Sequence, residues 1–152
     1  MIETQTTRPA LAIRVYAQWE IESINAPEER FVTVSITDSD RRATLANLKH
    51  LEAAPLLRLS FHVGGPPRGL TNEQAVQFWT FIKSSLEGLD TINLHCGAGQ
   101  IRSPALALAL IQAFHGDEGL LLSDSEPDEA TYLAAVRAYP KVFGRPFPEA
   151  ED

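Results

Sequence analysis

Cysteine is almost absent from the sequence, since Cys96 is the only one among 152 residues. A single cysteine excludes an internal disulfide and a zinc site built from several cysteines. Its thiol is therefore either a small buried apolar group or a reactive group. The residues on either side of Cys96 decide between these two interpretations.

Long hydrophobic runs are also absent. The longest apolar stretch lies around residues 105–111 and is far shorter than the roughly 20 residues that a membrane-spanning helix needs. The start of the chain, MIETQTTRPA, is polar and lacks the apolar centre of a signal peptide. We therefore expect a cytoplasmic protein that does not bind a membrane.

Positive charge is in the minority as well. Lysine and arginine together number 13, against 20 aspartate and glutamate residues, which gives a formal net charge of −7. Such a charge repels polyanions, so we expect no nucleic-acid partner. An anionic ligand would have to be bound by donors concentrated at one place on the protein.

Segments with strand and helix patterns alternate along the chain. Alternating or continuous apolar residues predict strands at 11–16, 31–37, 56–63 and 91–96. Helical spacing predicts segments 19–24, 43–51, 71–88, 103–116 and 128–138. We expect Pro140 to end the last helix and both tryptophans, Trp19 and Trp79, to lie in the core. The alternation predicts a single α/β domain over 1–152, with a central, mostly parallel sheet flanked by helices.

The most informative segment is HCGAGQIRS, residues 95–103. It places Cys96 at the end of a predicted buried strand, followed by a glycine-containing loop and then a helix. A loop that leads into a helix N-terminus presents successive backbone N–H groups to one point, where the helix dipole also favours negative charge. The segment therefore predicts a phosphate-binding loop, formed by Gly97, Ala98, Gly99, Gln100, Ile101 and Arg102.

The same surroundings predict the chemistry of the thiol. Backbone donors, a helix N-terminus and Arg102 all stabilise a thiolate, so we expect the pKa of Cys96 to be lowered and its sulfur to act as a nucleophile. The planar guanidinium of Arg102 can bind two phosphate oxygens. Ser103 could donate a hydrogen bond to the sulfur of Cys96 when that sulfur is the leaving group. His95 is expected to orient the loop.

With His95, Cys96, Gly99, Arg102 and Ser103 in this register, the sequence resembles the protein tyrosine phosphatase superfamily, particularly its dual-specificity and small bacterial branches. The resemblance covers residues 61–111. It implies a dual-specificity-phosphatase-like fold, with Cys96 forming a phosphocysteine and Arg102 binding the phosphate, and it implies no metal and no cofactor. The substrate implied is a phosphorylated protein or a small phosphate monoester, and we expect phosphotyrosine or another aryl phosphate.

One departure from the family concerns the general acid. The family usually carries an aspartate on the loop that follows the strand at 56–63, but this sequence has no carboxylate between Glu52 and Glu73. His62 occupies the corresponding region and is our candidate for the acid. Asp38 or Asp40 could supply the proton instead, or the step could be lost.

Two further functions are compatible with the same loop. Without a general acid, the protein could be a pseudophosphatase that binds phosphate or a phosphopeptide and turns it over weakly. A sulfurtransferase of the rhodanese type would also use a thiolate held in a loop. Arsenate reduction by a thiol relay needs additional thiols, which a chain with one cysteine does not contain.

Overall fold

Four parallel strands form the centre of the fold. The computed structural model describes residues 11–38, 45–97, 101–114 and 126–148. Within them, the strands are β1 (Ala12–Ala17), β2 (Phe31–Thr37), β3 (Leu56–Ser60) and β4 (Thr91–Cys96). They lie in the order β1-β4-β2-β3, and each neighbouring pair is parallel. The carboxyl ends of the strands therefore meet at one edge of the sheet, the edge at which Cys96 lies.

Helices follow most of the strands. They are α1 (Gln18–Ile21), α2 (Asn72–Ser85), α3 (Arg102–Phe114) and α4 (Glu129–Phe143). The start of α2 is fixed by a capping box: Thr71 Oγ1 accepts from the backbone N–H of Gln74, and Gln74 Oε1 accepts from that of Thr71, both at 3.0 Å. None of the described helices is long and apolar enough to cross a bilayer.

The two faces of the sheet are buried in different clusters. Val32, Val34 and Ile36 of β2 belong to the main core, together with buried residues of α2, α3 and α4. Phe31 belongs to a second, smaller cluster with Ile21 of α1. Because successive side chains of a strand point to opposite faces, the two clusters cover opposite sides of the sheet. Strands buried on both faces are typical of parallel sheets.

Trp79 lies at the centre of the main core. It is fully buried, as expected, and its indole N–H donates to the Ala135 carbonyl at 2.8 Å. Its ring packs edge-on against Tyr139, with the ring centroids 5.1 Å apart. The prediction for Trp19 is wrong, since 72% of this residue is exposed. Trp19 lies on α1, a single turn whose one buried residue is Ile21.

Two helix predictions also need correction. Residues 45–48 are not helical, and only Lys49–Leu51 form a 3₁₀ turn; residues 43 and 44 lie outside the described residues. In this segment the Asn47 N–H donates to Glu22 Oε2 at 2.9 Å, and the Ala46 carbonyl accepts from Arg58 at 3.1 Å. These backbone groups bond to side chains of other elements instead of to a helix of their own.

Pro140 does not end α4. The helix continues to Phe143 and ends at Gly144, whose φ of 70° is the left-handed conformation typical of a helix C-terminus. Proline within a helix removes one hydrogen bond, but here the following turn is held by aromatic packing. The rings of Tyr139 and Phe143 stack with their centroids 4.4 Å apart.

Candidate active site

Three strand ends meet around Cys96. Cys96 is the last residue of β4, and β4 lies between β1 and β2 in the sheet. Asp38 directly follows β2, and Phe61 and His62 directly follow β3. The strand order therefore brings residues from three separate segments of the sequence to the carboxyl end of β4.

Cys96 is buried, and its Sγ lies 3.2 Å from the Oγ of Ser103. Ser103 is fully buried in the first turn of α3, which starts at Arg102. The thiol therefore lies beside the N-terminal end of a 13-residue helix, where unpaired N–H groups and the helix dipole favour an anion. The strand, loop and helix order predicted for this segment is confirmed.

The loop between Cys96 and α3 is held at both of its described ends. The Gly97 carbonyl accepts from the N–H of Gln18 at 3.0 Å, and the Ile101 carbonyl accepts from the N–H of Asp128 at 2.9 Å. Ala98, Gly99 and Gln100 lie outside the described residues. Their part in a phosphate-binding loop stays a prediction.

Arg102 directs its guanidinium toward the ends of β2 and β3. The residue is only 8% exposed. Its Nη1 donates to the Phe61 carbonyl and to Asp38 Oδ1, each at 2.7 Å. A carboxylate oxygen thus already lies on the guanidinium, which shows that the position accommodates an anionic oxygen.

His62 and Asp38 lie together beside Arg102. His62 Nδ1 is 4.0 Å from Asp38 Oδ1, and His62 Nε2 accepts a hydrogen bond from Arg68 Nη2 at 3.1 Å. The side chain of His62 is 22% exposed and that of Asp38 is 50% exposed, so solvent reaches both. Of the three residues considered as general acid, Asp40 lies outside the described residues.

His95 lies beneath the site and does not reach its surface. It is fully buried, its Nε2 is 2.6 Å from Ser35 Oγ, and its Nδ1 is 3.2 Å from the Cys96 carbonyl. A carbonyl can only accept, so Nδ1 carries the proton and Nε2 accepts from Ser35. Desolvation by burial lowers the pKa of His95, which keeps the ring neutral.

Sequence reasoning missed two residues that support the site. Arg58 of β3 donates to Ser35 Oγ at 3.5 Å, and so completes a chain of hydrogen bonds through His95 to the Cys96 carbonyl. Asp128, expected only as the start of a helix, also accepts from the Gly64 N–H at 2.9 Å through its Oδ2. Neither contact has a signal in the local sequence, because each joins segments that are distant along the chain.

Solved structures to which this chain is similar include two phosphatase structures. The crystal structure of the tyrosine phosphatase Tk-PTP in the active form matches 88% of this chain and 94% of its own, with 16% sequence identity and a TM-score of 0.55. The crystal structure of PTPMT1 in complex with PI(5)P matches 76% of this chain and 80% of its own, with 21% identity and a TM-score of 0.45. No protein-family model and no curated protein matches the sequence.

The described residues thus adopt the fold of the tyrosine phosphatases: a four-stranded parallel sheet flanked by helices, with Cys96 as the last residue of β4. The fold that the resemblance implies is therefore confirmed. Of the motif residues that the structure describes, His95 and Cys96 end β4, and Arg102 and Ser103 begin α3.

Proposed function

We propose that this protein hydrolyses phosphate monoesters through a phosphocysteine intermediate on Cys96. The observation that carries the proposal is the contact of 3.2 Å between the sulfur of Cys96 and the hydroxyl of Ser103 at the N-terminal end of α3, directly after Arg102. This arrangement supplies a nucleophile, a cation for the phosphoryl oxygens and a donor to the sulfur. An aryl phosphate, such as phosphotyrosine in a cytoplasmic protein, is the proposed substrate.

In the first step, the Cys96 thiolate attacks phosphorus and forms the S–P bond. The P–O ester bond breaks, and its electron pair leaves with the ester oxygen, which takes a proton from a general acid. Arg102 binds two of the remaining phosphoryl oxygens through its planar fork. The N–H groups of the loop from Gly97 to Ile101 bind the same oxygens.

In the second step, water attacks phosphorus and the S–P bond breaks. The hydroxyl of Ser103 donates a hydrogen bond to the departing thiolate of Cys96, which lowers the cost of its release. Inorganic phosphate is the product. Every bond that forms is matched by one that breaks, so the cycle needs no oxidant, reductant or other co-reactant.

The nucleophile is tested with Cys96→Ser and 4-nitrophenyl phosphate. We expect turnover to fall to the rate of the buffer, while thermal unfolding and vanadate or phosphate binding still report a folded protein. Acid quenching should trap phosphate on the parent protein and none on the variant. Turnover by Cys96→Ser at the parental rate, together with inhibition by a chelator, would overturn the proposal.

A module that binds phosphate without efficient turnover is the second candidate. The observation that favours it is the loop between β3 and α2, residues 61–71, which contains no carboxylate. If this candidate is correct, the parent protein binds a phosphotyrosine peptide in calorimetry and releases no phosphate from it. A thiosulfate-to-cyanide assay on the same preparation tests the sulfurtransferase alternative.

A further inference from the structure

The leaving oxygen of a poor substrate needs a proton, and two described side chains beside Arg102 could supply it. One is His62, on the loop after β3, and the other is Asp38, at the end of β2. A tyrosine oxygen leaves far less readily than a nitrophenol oxygen unless it is protonated, and general acid catalysis is commonly worth about 10²–10⁴ in rate. The positions of the two side chains show which of them is better placed to act as the general acid.

Asp38 has the position of an acid. Its Oδ1 lies 2.7 Å from the Nη1 of Arg102, the cation proposed to bind the phosphoryl group. Half of its side chain is exposed, so it can exchange protons with water. It reaches the site because β2 is the direct neighbour of β4 in the sheet.

His62 has a different orientation. Its Nε2 accepts from Arg68, so this nitrogen carries no proton, and its Nδ1 faces Asp38 at 4.0 Å. Protonating Nε2 would break the hydrogen bond and place a cation against the guanidinium of Arg68. The imidazole thus faces Asp38 without a hydrogen bond to its carboxyl group.

We propose that Asp38 is the general acid of this site. This inference rests on the proposed function. In the structure, the carboxylate of Asp38 is hydrogen-bonded to the guanidinium of Arg102. A bound phosphoryl group displaces this carboxylate from Arg102, because two anions on one cation repel each other. Arg102 stays oriented meanwhile, because its Nη1 also donates to the Phe61 carbonyl at 2.7 Å.

The proton balance follows from this exchange. Asp38 takes a proton from solvent when the phosphoryl oxygens replace it on Arg102. It gives that proton to the ester oxygen as the P–O bond breaks and the S–P bond forms. In the second step, its carboxylate accepts a proton from the attacking water, and release of phosphate allows it to return to Arg102.

The test compares Asp38→Asn with the parent on two aryl phosphates, 4-nitrophenyl phosphate and phenyl phosphate. Asparagine keeps an oxygen for Arg102 but has no proton to give. We expect kcat/KM, which reports only the step that expels the ester oxygen, to stay within a few-fold of the parent for the nitrophenyl ester and to fall by about 10²–10³-fold for the phenyl ester. Asp38→Glu should restore part of the phenyl phosphate activity.

The pH profile provides a second readout. Among the residues that the structure describes, the charged groups that face Asp38 are Arg102 from α3 and His62, with Arg68 behind it, from the loop after β3. If Asp38 is the acid, the basic limb of kcat/KM for phenyl phosphate disappears in Asp38→Asn. Asp90→Asn is a matched control, because Asp90 lies at the other edge of the sheet, where it accepts from the Arg30 N–H.

Different results would overturn the role of Asp38 alone or the proposed function as well. A parent protein that hydrolyses no phosphate ester overturns both. If the parent is active and Asp38→Asn lowers kcat/KM for both esters equally while weakening inhibition by phosphate, Asp38 only orients Arg102 and the inference fails alone. The inference also fails alone if Asp38→Asn changes neither ester and His62→Gln selectively slows the phenyl ester.

Discussion

Ser103 is the residue whose contact with the nucleophile matters most for the second half of the proposed cycle. Its hydroxyl lies 3.2 Å from Cys96 Sγ in a fully buried position. A hydrogen bond to a charged group is worth about 1.5–3 kcal/mol. We therefore expect Ser103→Ala to slow hydrolysis of the phosphocysteine by roughly 10–100-fold and its formation much less.

Stopped-flow release of 4-nitrophenol measures both rates. Ser103→Ala should show a burst of about one equivalent followed by a slow steady state. Ser85→Ala is the matched control, because it removes a buried hydroxyl that bonds to the Phe81 carbonyl within α2. If Ser103→Ala slows the formation and the hydrolysis of the phosphocysteine by the same factor, the assigned role is wrong.

His95 makes the stability of the fold depend on pH. Burial lowers its pKa in the folded protein, whereas the unfolded chain has the ordinary histidine value of about 6.5. As the pH falls below about 6.5, this histidine takes up a proton in the unfolded state but not in the folded state. The free energy of unfolding therefore has its full value above about pH 6.5 and decreases as the pH falls. For one histidine, the slope reaches at most about 1.36 kcal/mol per pH unit.

Urea unfolding at pH 7.5, 6.5 and 5.5 measures this dependence. Carboxyl groups also titrate toward the acid end of the range, so the informative quantity is the difference between the parent and His95→Gln, a variant without the titrating ring. We expect the parent to lose more stability than the variant between pH 6.5 and pH 5.5. Identical slopes would mean that His95 can bind a proton within the fold.

At the scale of elements, Asp128 joins three segments. Its Oδ2 caps α4 by accepting from the Thr131 N–H and also accepts from the Gly64 N–H, and its own N–H donates to the Ile101 carbonyl. Loss of a helix cap costs about 0.5–2 kcal/mol. We expect Asp128→Ala to lose that much stability and, in addition, to lower kcat, since the loop after β3 carries the Phe61 carbonyl that orients Arg102.

Thr71→Ala is the matched control, since it removes the corresponding cap from α2 without touching Gly64 or Ile101. Urea unfolding and steady-state kinetics on the same preparations compare the two variants. Equal loss of stability with a lower kcat only in Asp128→Ala supports the role of the contact with Gly64. If kcat of both Asp128→Ala and Thr71→Ala equals that of the parent, Asp128 only caps α4.

Sequence patterns predicted some strands accurately and some helix limits wrongly. The limits of β2 and β4 are those expected, because both strands are buried along their whole length and their apolar runs end at polar residues or glycine. The helix around 43–51 and the stop at Pro140 were wrong, because distant side chains and aromatic packing decide those segments. Local patterns show which positions are apolar, but not which other elements pack against them.

At the scale of the whole molecule, strand order decides which residues meet at the site. The motif around Cys96 can be read directly, since its residues are close together in the sequence. The proximity of Asp38 to Arg102 could not be predicted, because nothing in the alternation of β2 shows that it neighbours β4. The sequence could therefore name Asp38 as one candidate among several, and the sheet order selects it for the test above.

The same strand order has a consequence for how the chain is synthesised. Among the described strands, β1 pairs only with β4, so Ala12 finds its partner Thr91 only after most of the chain has been made. Contacts between such distant segments carry the entropy cost of closing a long loop, and they slow folding. On the ribosome, β2 and β3 can pair early, whereas β1 has to wait for the strand that bears Cys96. The emerging chain therefore completes its sheet and gains its nucleophile in the same late event.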